Sequence, residues 1–187
     1  IGAAITDTSS SNGAILCSYD GGRTFARVDV PFTMGGNENG RGNGERMMVD
    51  PQNVNIIYMG TRLHGLWRST DKGRSWARVA SFPNVSEKLN PVDRAAWGNR
   101  GSGIVCVAYD AQGTRDERGT RDIYVAVSLM GRENLFVSHD YGESWQPVGG
   151  QPMQYRPTHM VLTGDGQLVL TYGDTPGPSQ MGDGGVW

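Results

Sequence analysis

Short apolar stretches recur along the chain, separated by glycine-rich or charged segments. Clear cases are Ile56–Gly60, Ile104–Asp110, Ile123–Val127 and Leu135–Ser138. Runs of this length that are rich in β-branched and aromatic residues, with turn residues on either side, are typical of β-strands. Asp50-Pro51 begins one of the turns, because proline fixes its own φ and cannot continue a strand ladder. The pattern therefore predicts an all-β chain.

The strands predicted in this way follow one another in groups of up to four. They are Gly2–Ile5, Ala14–Ser18, Phe25–Val28, Arg46–Asp50, Ile56–Gly60, Gly65–Ser69, Ser75–Val79, Ile104–Asp110, Ile123–Val127, Leu135–Ser138, Ser144–Val148, His159–Leu162, Leu168–Tyr172 and Gly185–Trp187.

Three segments repeat one pattern, Ser-x-Asp-x-Gly-x-(Ser/Thr)-aromatic. They are Ser18–Phe25, Ser69–Trp76 and Ser138–Trp145. An aspartate accepts hydrogen bonds from the backbone of its own turn, glycine supplies a position with φ > 0, and the aromatic residue is expected to anchor the turn between neighbouring sheets. We therefore expect these residues to be structural and not catalytic: Asp20, Gly22, Phe25, Asp71, Gly73, Trp76, Asp140, Gly142 and Trp145.

The three segments resemble the Asp-box of β-propellers, which implies four-stranded antiparallel blades. Residues 1–30 are expected to supply a partial blade, 31–80 a blade with the interblade loop before it, 81–148 a further blade, and 149–187 a second partial blade. The total is about three and a half blades, whereas propellers close with four to eight. We therefore expect the chain to be a segment of a larger protein.

Charge and composition exclude several classes of partner and cofactor. The formal net charge of −2 gives no electrostatic argument for binding nucleic acid or an anionic membrane. No apolar run approaches the ~20 residues that a membrane-spanning helix needs. The chain has no His/Cys/carboxylate cluster at zinc spacing, and nothing suggests a metal or an organic cofactor. Cys17 and Cys106 lie in apolar sequence and are expected to be free and buried.

The most unusual segment is the glycine-rich loop Gly35–Arg46, which alternates glycine with Asn and Arg. It precedes the first strand of a blade, the innermost one in a propeller, where ligands usually bind. Amide and guanidinium donors on a closely approaching backbone suit a hydroxyl-rich ligand. A phosphate cradle is disfavoured because no Gly-Lys-Ser/Thr ending follows. A plain glycine-rich linker is the alternative.

Two other interblade loops contain candidate ligand residues. Trp97, in the loop Pro83–Gly103, could stack on a sugar ring or simply hold its loop in place. Tyr155 lies in the loop Gly149–Thr158, just before His159, and a histidine at such a position is more often structural than catalytic. No pair of carboxylates stands out as a general acid and base.

Longer motifs resemble those of glycoside hydrolase family 74, the xyloglucanases. The glycine-rich loop is followed by Met47–Pro51 and by Ile57–Asp71, which contains His-Gly-Leu-Trp; Gly150–Pro152 and Leu170–Asp174 continue the likeness in the same order. The loop and the His-Gly-Leu-Trp strand are much more specific than the Asp-boxes. The likeness covers nearly the whole chain.

This resemblance implies a secreted, extracellular enzyme with two seven-bladed propellers that enclose a polysaccharide cleft. It implies an inverting endo-β-1,4-glucanase, or a reducing-end-specific enzyme, that cleaves xyloglucan or a related β-glucan. Two aspartates, one from each propeller, would do this with ~6.5–9.5 Å between their carboxyl groups. The chain would form part of the N-terminal propeller, and its partners would be the polysaccharide and the remainder of its own polypeptide. Neither catalytic motif occurs here, so no catalytic residue is assigned.

Substrate-binding candidates come mostly from positions that match the family. The glycine-rich loop contributes Asn37, Arg41 and Arg46, the next strand region contributes Arg62 and His64, and the later loop contributes Tyr155 and His159. Trp97 is proposed from its chemistry alone, because its loop matches poorly. Met160 stands where the family commonly has lysine, which weakens any charge-based role for that loop.

Two other functions share the Asp-box. A non-catalytic propeller of the sortilin or photosystem-assembly kind would bind proteins and would need no acidic pair. A sialidase would need an arginine triad and a Phe/Tyr-Arg-Ile-Pro motif before the first box. Tyr155-Arg156-Pro157 lacks the isoleucine and follows the third box, so a sialidase ranks last.

Overall fold

The computed structural model describes residues 2–4, 12–32, 42–83, 103–112, 117–177 and 181–187. Within these ranges every element of regular secondary structure is a β-strand, and the strands form four antiparallel sheets. The predicted all-β class is confirmed, and two of the sheets have the four strands of a propeller blade. The described part of the chain contains no helix long and apolar enough to cross a membrane.

Strand order within each sheet follows the chain. The first sheet contains β1 (Gly2–Ala4), β2 (Ala14–Cys17) and β3 (Ala26–Asp29). The second contains β4 (Met47–Val49), β5 (Ile57–Gly60), β6 (Leu66–Ser69) and β7 (Ala77–Arg78). The third contains β8 (Ile104–Tyr109), β9 (Ile123–Val127), β10 (Leu135–Ser138) and β11 (Gln146–Pro147). The fourth contains β12 (Arg156–Leu162), β13 (Leu168–Gly173) and β14 (Gly184–Val186).

Because the strands are antiparallel and follow chain order, each sheet has different connections at its two ends. In the second sheet Met59 pairs with Met47 on one side and with Trp67 on the other, so β4 and β6 run in the same direction. One end, the loop face, therefore carries the start of the first strand and the turn between the second and third strands. The other end, the box face, carries the Asp-boxes, which connect the last two strands.

Successive sheets pack against each other through apolar clusters. The first strands β8 and β12 lie in contact, as the inner strands of a propeller do. Ile15 and Phe32 fill the space between the first and second sheets, Tyr58 and Ile104 that between the second and third, and Leu170 that between the third and fourth. Each such side chain contributes about 1.5–3 kcal/mol when fully buried.

The last strand of each four-stranded sheet is shorter than predicted. Ser75 and Ser144 were expected to open strands, which instead begin two residues later, at Ala77 and Gln146. Each serine donates its backbone N–H to the aspartate of its own box at 2.8 Å, so it cannot join the ladder. The remaining strand boundaries lie within three residues of the prediction.

The Asp-box aromatic residues differ in burial. Trp76 packs against the cluster that contains Ile15, and Trp145 against the cluster that contains Tyr58. Phe25 is 56% exposed, so the prediction that every box aromatic is anchored inside was wrong for the first box. The reason is geometric: each box packs on the sheet before its own, and no described strand precedes the first sheet.

Both cysteines are free and buried, as predicted. Burial raises the pKa of the Cys106 thiol to about 12. Cys106 therefore behaves as a small core residue and not as a nucleophile.

Candidate functional site

The loop face brings together candidate residues that are far apart in sequence. Arg46 lies directly before β4, and Arg62 and His64 lie in the turn between β5 and β6. Tyr155 lies directly before β12, and His159 lies within it. Asn37, Arg41 and Trp97 lie outside the described residues.

Arg46 and Arg62 lie close together because their strands pair. Gly60 donates its backbone N–H to the Arg46 carbonyl at 2.7 Å, which brings the end of β5 beside the start of β4. Burial, followed by the charge of Arg62, lowers the pKa of Arg46 to about 10. Arg62 is only 6% exposed. The two guanidinium groups thus form one positive region below the surface.

The Arg46 side chain also joins two blades. Its Nη1 donates to the carbonyl oxygen of Ile104, the first residue of β8, at 2.5 Å. Arg156, two blades later, also joins two blades, but it reaches back: its Nη1 donates at 3.3 Å to the carbonyl of Ser128, which follows β9 in the preceding sheet. Both arginines therefore hold neighbouring blades in place, and Arg46 can support a ligand-binding surface from beneath.

Residues 44–46 lie across the inner strands of the next two blades. Gly44 donates its N–H to the Thr158 carbonyl at 2.9 Å, and the Glu45 carbonyl accepts from Val107 at 3.0 Å. Gly44 has φ 85°, and a Cβ added there would lie 1.5 Å from the Val105 carbonyl oxygen. Only glycine fits, so one end of the glycine-rich loop is fixed by three blades.

His64 is half-buried, and its backbone is fixed on both sides. Its N–H donates to Thr61 Oγ1 at 2.9 Å, and its carbonyl accepts from Trp67 Nε1 at 3.0 Å. The tryptophan of the His-Gly-Leu-Trp motif therefore supports the turn that presents the histidine. His159 is exposed on β12, where its strand partner is Thr171.

Tyr155 is half-buried and connects two turns of the loop face. Its hydroxyl donates to Asp183 Oδ2 at 2.6 Å, and its carbonyl accepts from Asn134 Nδ2 at 2.9 Å. The hydrogen bond to Asp183 and the charge of that carboxylate raise the pKa of Tyr155, and the same bond lowers the pKa of Asp183. At neutral pH the Tyr155 hydroxyl therefore stays protonated and the Asp183 carboxylate stays ionised.

Sequence reasoning missed the polar residues that support this site. Gln151 is 8% exposed, and its Oε1 accepts from the backbone N–H groups of Asn134 and Leu135 at 2.5 and 2.8 Å. Asp183 was not among the predicted site residues. An Asp between glycines just before a predicted strand was the available signal, but its partner Tyr155 is 28 residues away.

The three Asp-box aspartates lie at the opposite end of the sheets. In each box one carboxylate oxygen accepts from a Ser hydroxyl two residues earlier, and the other accepts from the Ser or Thr hydroxyl four residues later. The hydrogen bond from Thr24 is the largest cause that lowers the pKa of Asp20 to about 2. Ser75 and Ser144 lower the pKa of Asp71 and Asp140 in the same way. These carboxylates are held ionised inside turns.

Among the described residues, no group of three or more His, Cys, Asp or Glu side chains is placed to hold a metal ion. The described residues of the loop face offer hydrogen-bond donors, acceptors and partly exposed rings, which suit recognition of a hydroxyl-rich ligand.

Comparison with known proteins identifies relatives for nearly the whole chain. A model of the BNR/Asp-box repeat matches residues 136–147, the third box. The xyloglucanase Xgh74A of Acetivibrio thermocellus is 42% identical over 177 residues, which are 94% of this chain and 21% of that protein. The chain thus spans about a fifth of the length of this curated relative.

Solved structures give the same result. The GH74 xyloglucanase of Xanthomonas campestris matches with a TM-score of 0.87 and 43% identity, over 99% of this chain and 26% of that one. The GH74 enzyme of Niastella koreensis matches with a TM-score of 0.78 and 34% identity, over 95% of this chain and 24% of that one. The resemblance to glycoside hydrolase family 74 that the sequence motifs indicate is therefore confirmed, for a chain that is similar to a segment of these enzymes.

Proposed function

We propose that the polypeptide containing this chain is a xyloglucanase and that the chain supplies part of its polysaccharide cleft. The observation that carries this proposal is the 42% identity to a xyloglucanase over 94% of the chain. That identity extends well beyond the Asp-boxes, which many unrelated propellers share. A non-catalytic, protein-binding propeller is not favoured, because the relatives matched over nearly the whole chain are named as xyloglucanases.

Within this function we assign the loop face to sugar binding. Tyr155, His159 and His64 would contact the polysaccharide, and Asn37, Arg41 and Trp97 remain proposed sugar-binding residues on the family resemblance and side-chain chemistry alone. Arg46 and Arg62 lie deeper and would support it, since hydrogen bonds donated by a charged guanidinium are stronger than those between neutral groups. The catalytic carboxylates would come from elsewhere in the polypeptide, which we also propose to be secreted and to invert the anomeric centre.

The test uses the complete polypeptide purified from its producing cells or their culture medium. Incubation with xyloglucan is expected to release reducing sugars, and the products should initially carry the inverted anomeric configuration by NMR. Cellulose and mixed-linkage glucan serve as comparison substrates. If none of the three polysaccharides is cleaved, the proposed function is wrong. Presence of the protein in the medium rather than the cell pellet tests secretion.

A further inference from the structure

Tyr155 is held from two sides by neighbouring turns of the loop face. Asn134, in the turn between β9 and β10, binds its carbonyl, and Asp183, just before β14, binds its hydroxyl. The ring is half-buried and packs against the apolar cluster between the third and fourth sheets. An aromatic side chain fixed at both its backbone and its outer end has little freedom left to lose on binding a ligand.

Asp183 is itself fixed by the turn that contains it. Its N–H donates to Asp174 Oδ2 at 3.1 Å, and its carbonyl accepts from the Asp174 N–H at 3.0 Å. Its Oδ1 accepts from the Gly184 N–H at 2.8 Å, so Oδ2 is the oxygen left for Tyr155. The carboxylate is therefore a rigid acceptor with one oxygen assigned to its own strand and one to the tyrosine.

Exposed methionines occur in the same turns. Met130, Met153 and Met181 are 39%, 42% and 45% exposed, although large apolar side chains usually lie inside. Met153 is tied to the turn after Met130, because its carbonyl accepts from the Gly131 N–H at 2.8 Å. Thioether and aromatic surfaces are adaptable partners for the C–H face of a pyranose ring.

We propose that Asp183 is a positioning residue that holds Tyr155 as a stacking platform for one sugar ring of the polysaccharide, among turns that also expose Met153 and Met181. This inference rests on the proposed function and adds a residue and a role to it. The platform is built from an interblade loop and the turn of the blade that follows, so its geometry depends on one hydrogen bond between them.

Kinetics of the complete polypeptide on xyloglucan oligosaccharides test the platform. Asp183→Ala and Tyr155→Phe are each expected to raise KM about threefold to tenfold, the range for ordering one side chain on binding, while kcat is unchanged. Asp183→Asn keeps an acceptor oxygen and should recover most of the wild-type KM. The Asp183→Ala/Tyr155→Phe double variant should be no worse than either single variant, since both remove one interaction.

Asp165→Ala is the matched control. Asp165 also accepts a hydrogen bond from a nearby hydroxyl, that of Thr163, but it lies at the opposite end of the same sheet, in the turn between β12 and β13. Its KM should equal the wild-type value. If Asp183→Ala also leaves KM unchanged while Tyr155→Ala raises it, Asp183 has no positioning role. If Tyr155→Ala has no effect either, the platform itself is wrong.

A spectroscopic titration separates positioning from a general structural effect. Because Asp183 raises the pKa of Tyr155, Asp183→Asn should lower the ionisation pH of one tyrosine in the ultraviolet, and this change should vanish in Asp183→Asn/Tyr155→Phe. If the wild type cleaves xyloglucan and the variants of Asp183 and Tyr155 keep the wild-type KM, this inference alone is wrong. If the wild type does not cleave xyloglucan, the proposed function is wrong, and the platform is tested instead by calorimetric binding of a xyloglucan oligosaccharide. The platform is rejected if the wild type does not bind the oligosaccharide, or if Asp183→Ala binds it equally well.

Discussion

The turns at the two ends of the sheets differ in how regular their hydrogen bonding is. At the box face, three turns repeat one hydrogen-bonding pattern almost unchanged, with Ser-to-Asp bonds of 2.9, 2.8 and 2.8 Å. At the loop face, each blade uses different groups: Arg46 bonded to Ile104, Asn134 bonded to Gln151, and Tyr155 bonded to Asp183. The repeated turns of the box face stabilise the blades, whereas the varied side chains of the loop face can form a binding surface.

The partners at the two ends also differ in sequence separation. In a box every hydrogen-bond partner of the aspartate lies within four residues, so the hydrogen bonds of the aspartate are local to its own turn. Arg46 reaches an acceptor 58 residues away, and Tyr155 reaches one 28 residues away. Loss of a box aspartate should therefore act mainly within its own turn, whereas loss of Arg46 or Tyr155 should affect the contact between blades.

The largest effect is expected from Gly44→Ala at the loop face. A Cβ at this position would lie 1.5 Å from the Val105 carbonyl oxygen, and φ is 85°. The backbone must move, which would break the bond to Thr158 and lower the free energy of unfolding by about 3 kcal/mol or more. Urea denaturation measures this change.

Gly149→Ala is the matched control, because a Cβ there meets nothing within 4 Å. It should change stability by less than about 1 kcal/mol. Equal losses in the two variants would show that residues 44–46 do not connect the blades.

Acid should weaken the turns of the box face. The pKa of Asp20 falls from 3.8 to about 2 on folding, and the pKa values of Asp71 and Asp140 are also lowered. A carboxylate of lowered pKa stabilises the fold above its unfolded pKa, and this contribution disappears as the pH falls through the folded value. Thermal stability should therefore decrease between about pH 4 and pH 2. Replacing all three aspartates by asparagine should flatten that decrease; an unchanged profile would contradict the assignment.

A smaller loss is expected from Asp140→Ala alone. The substitution removes an acceptor from the Ser144 N–H and from two serine hydroxyls, in a turn that is partly open to water. Loss of such a cap costs about 1–2 kcal/mol. Chemical denaturation should show this loss, while the ionisation of Tyr155 at the loop face stays unchanged. A shift in that ionisation would mean that the two ends are coupled.

The same contrast explains what the sequence could predict. Local patterns predicted the strands and the box turns because the relevant partners, such as Ser138 and Asp140, are two residues apart. The resemblance to family 74 pointed to Tyr155, but the sequence did not reveal its bond to Asp183, because that contact depends on how two turns meet. Asp50 shows the same limit. It was predicted only to begin a turn, yet it is 1% exposed and accepts two hydrogen bonds from Thr120, 70 residues away.

The smallest effect is expected at the residue that follows the aspartate in each box. The residue after the aspartate has φ 75° in Gly21, 64° in Lys72 and 64° in Tyr141, so only the first box satisfies this position without strain. Gly21→Ala adds a Cβ that meets nothing within 4 Å, so its cost is the left-handed conformation alone, about 1 kcal/mol. Lys72→Gly relieves the same strain but gives the unfolded chain more freedom, so its effect should be near zero or slightly stabilising. Thermal unfolding of the two variants should therefore move in opposite directions or differ by about 1 kcal/mol. A Gly21→Ala variant as stable as wild type would mean that this turn tolerates a side chain, and the three boxes would then be equivalent despite their different residues.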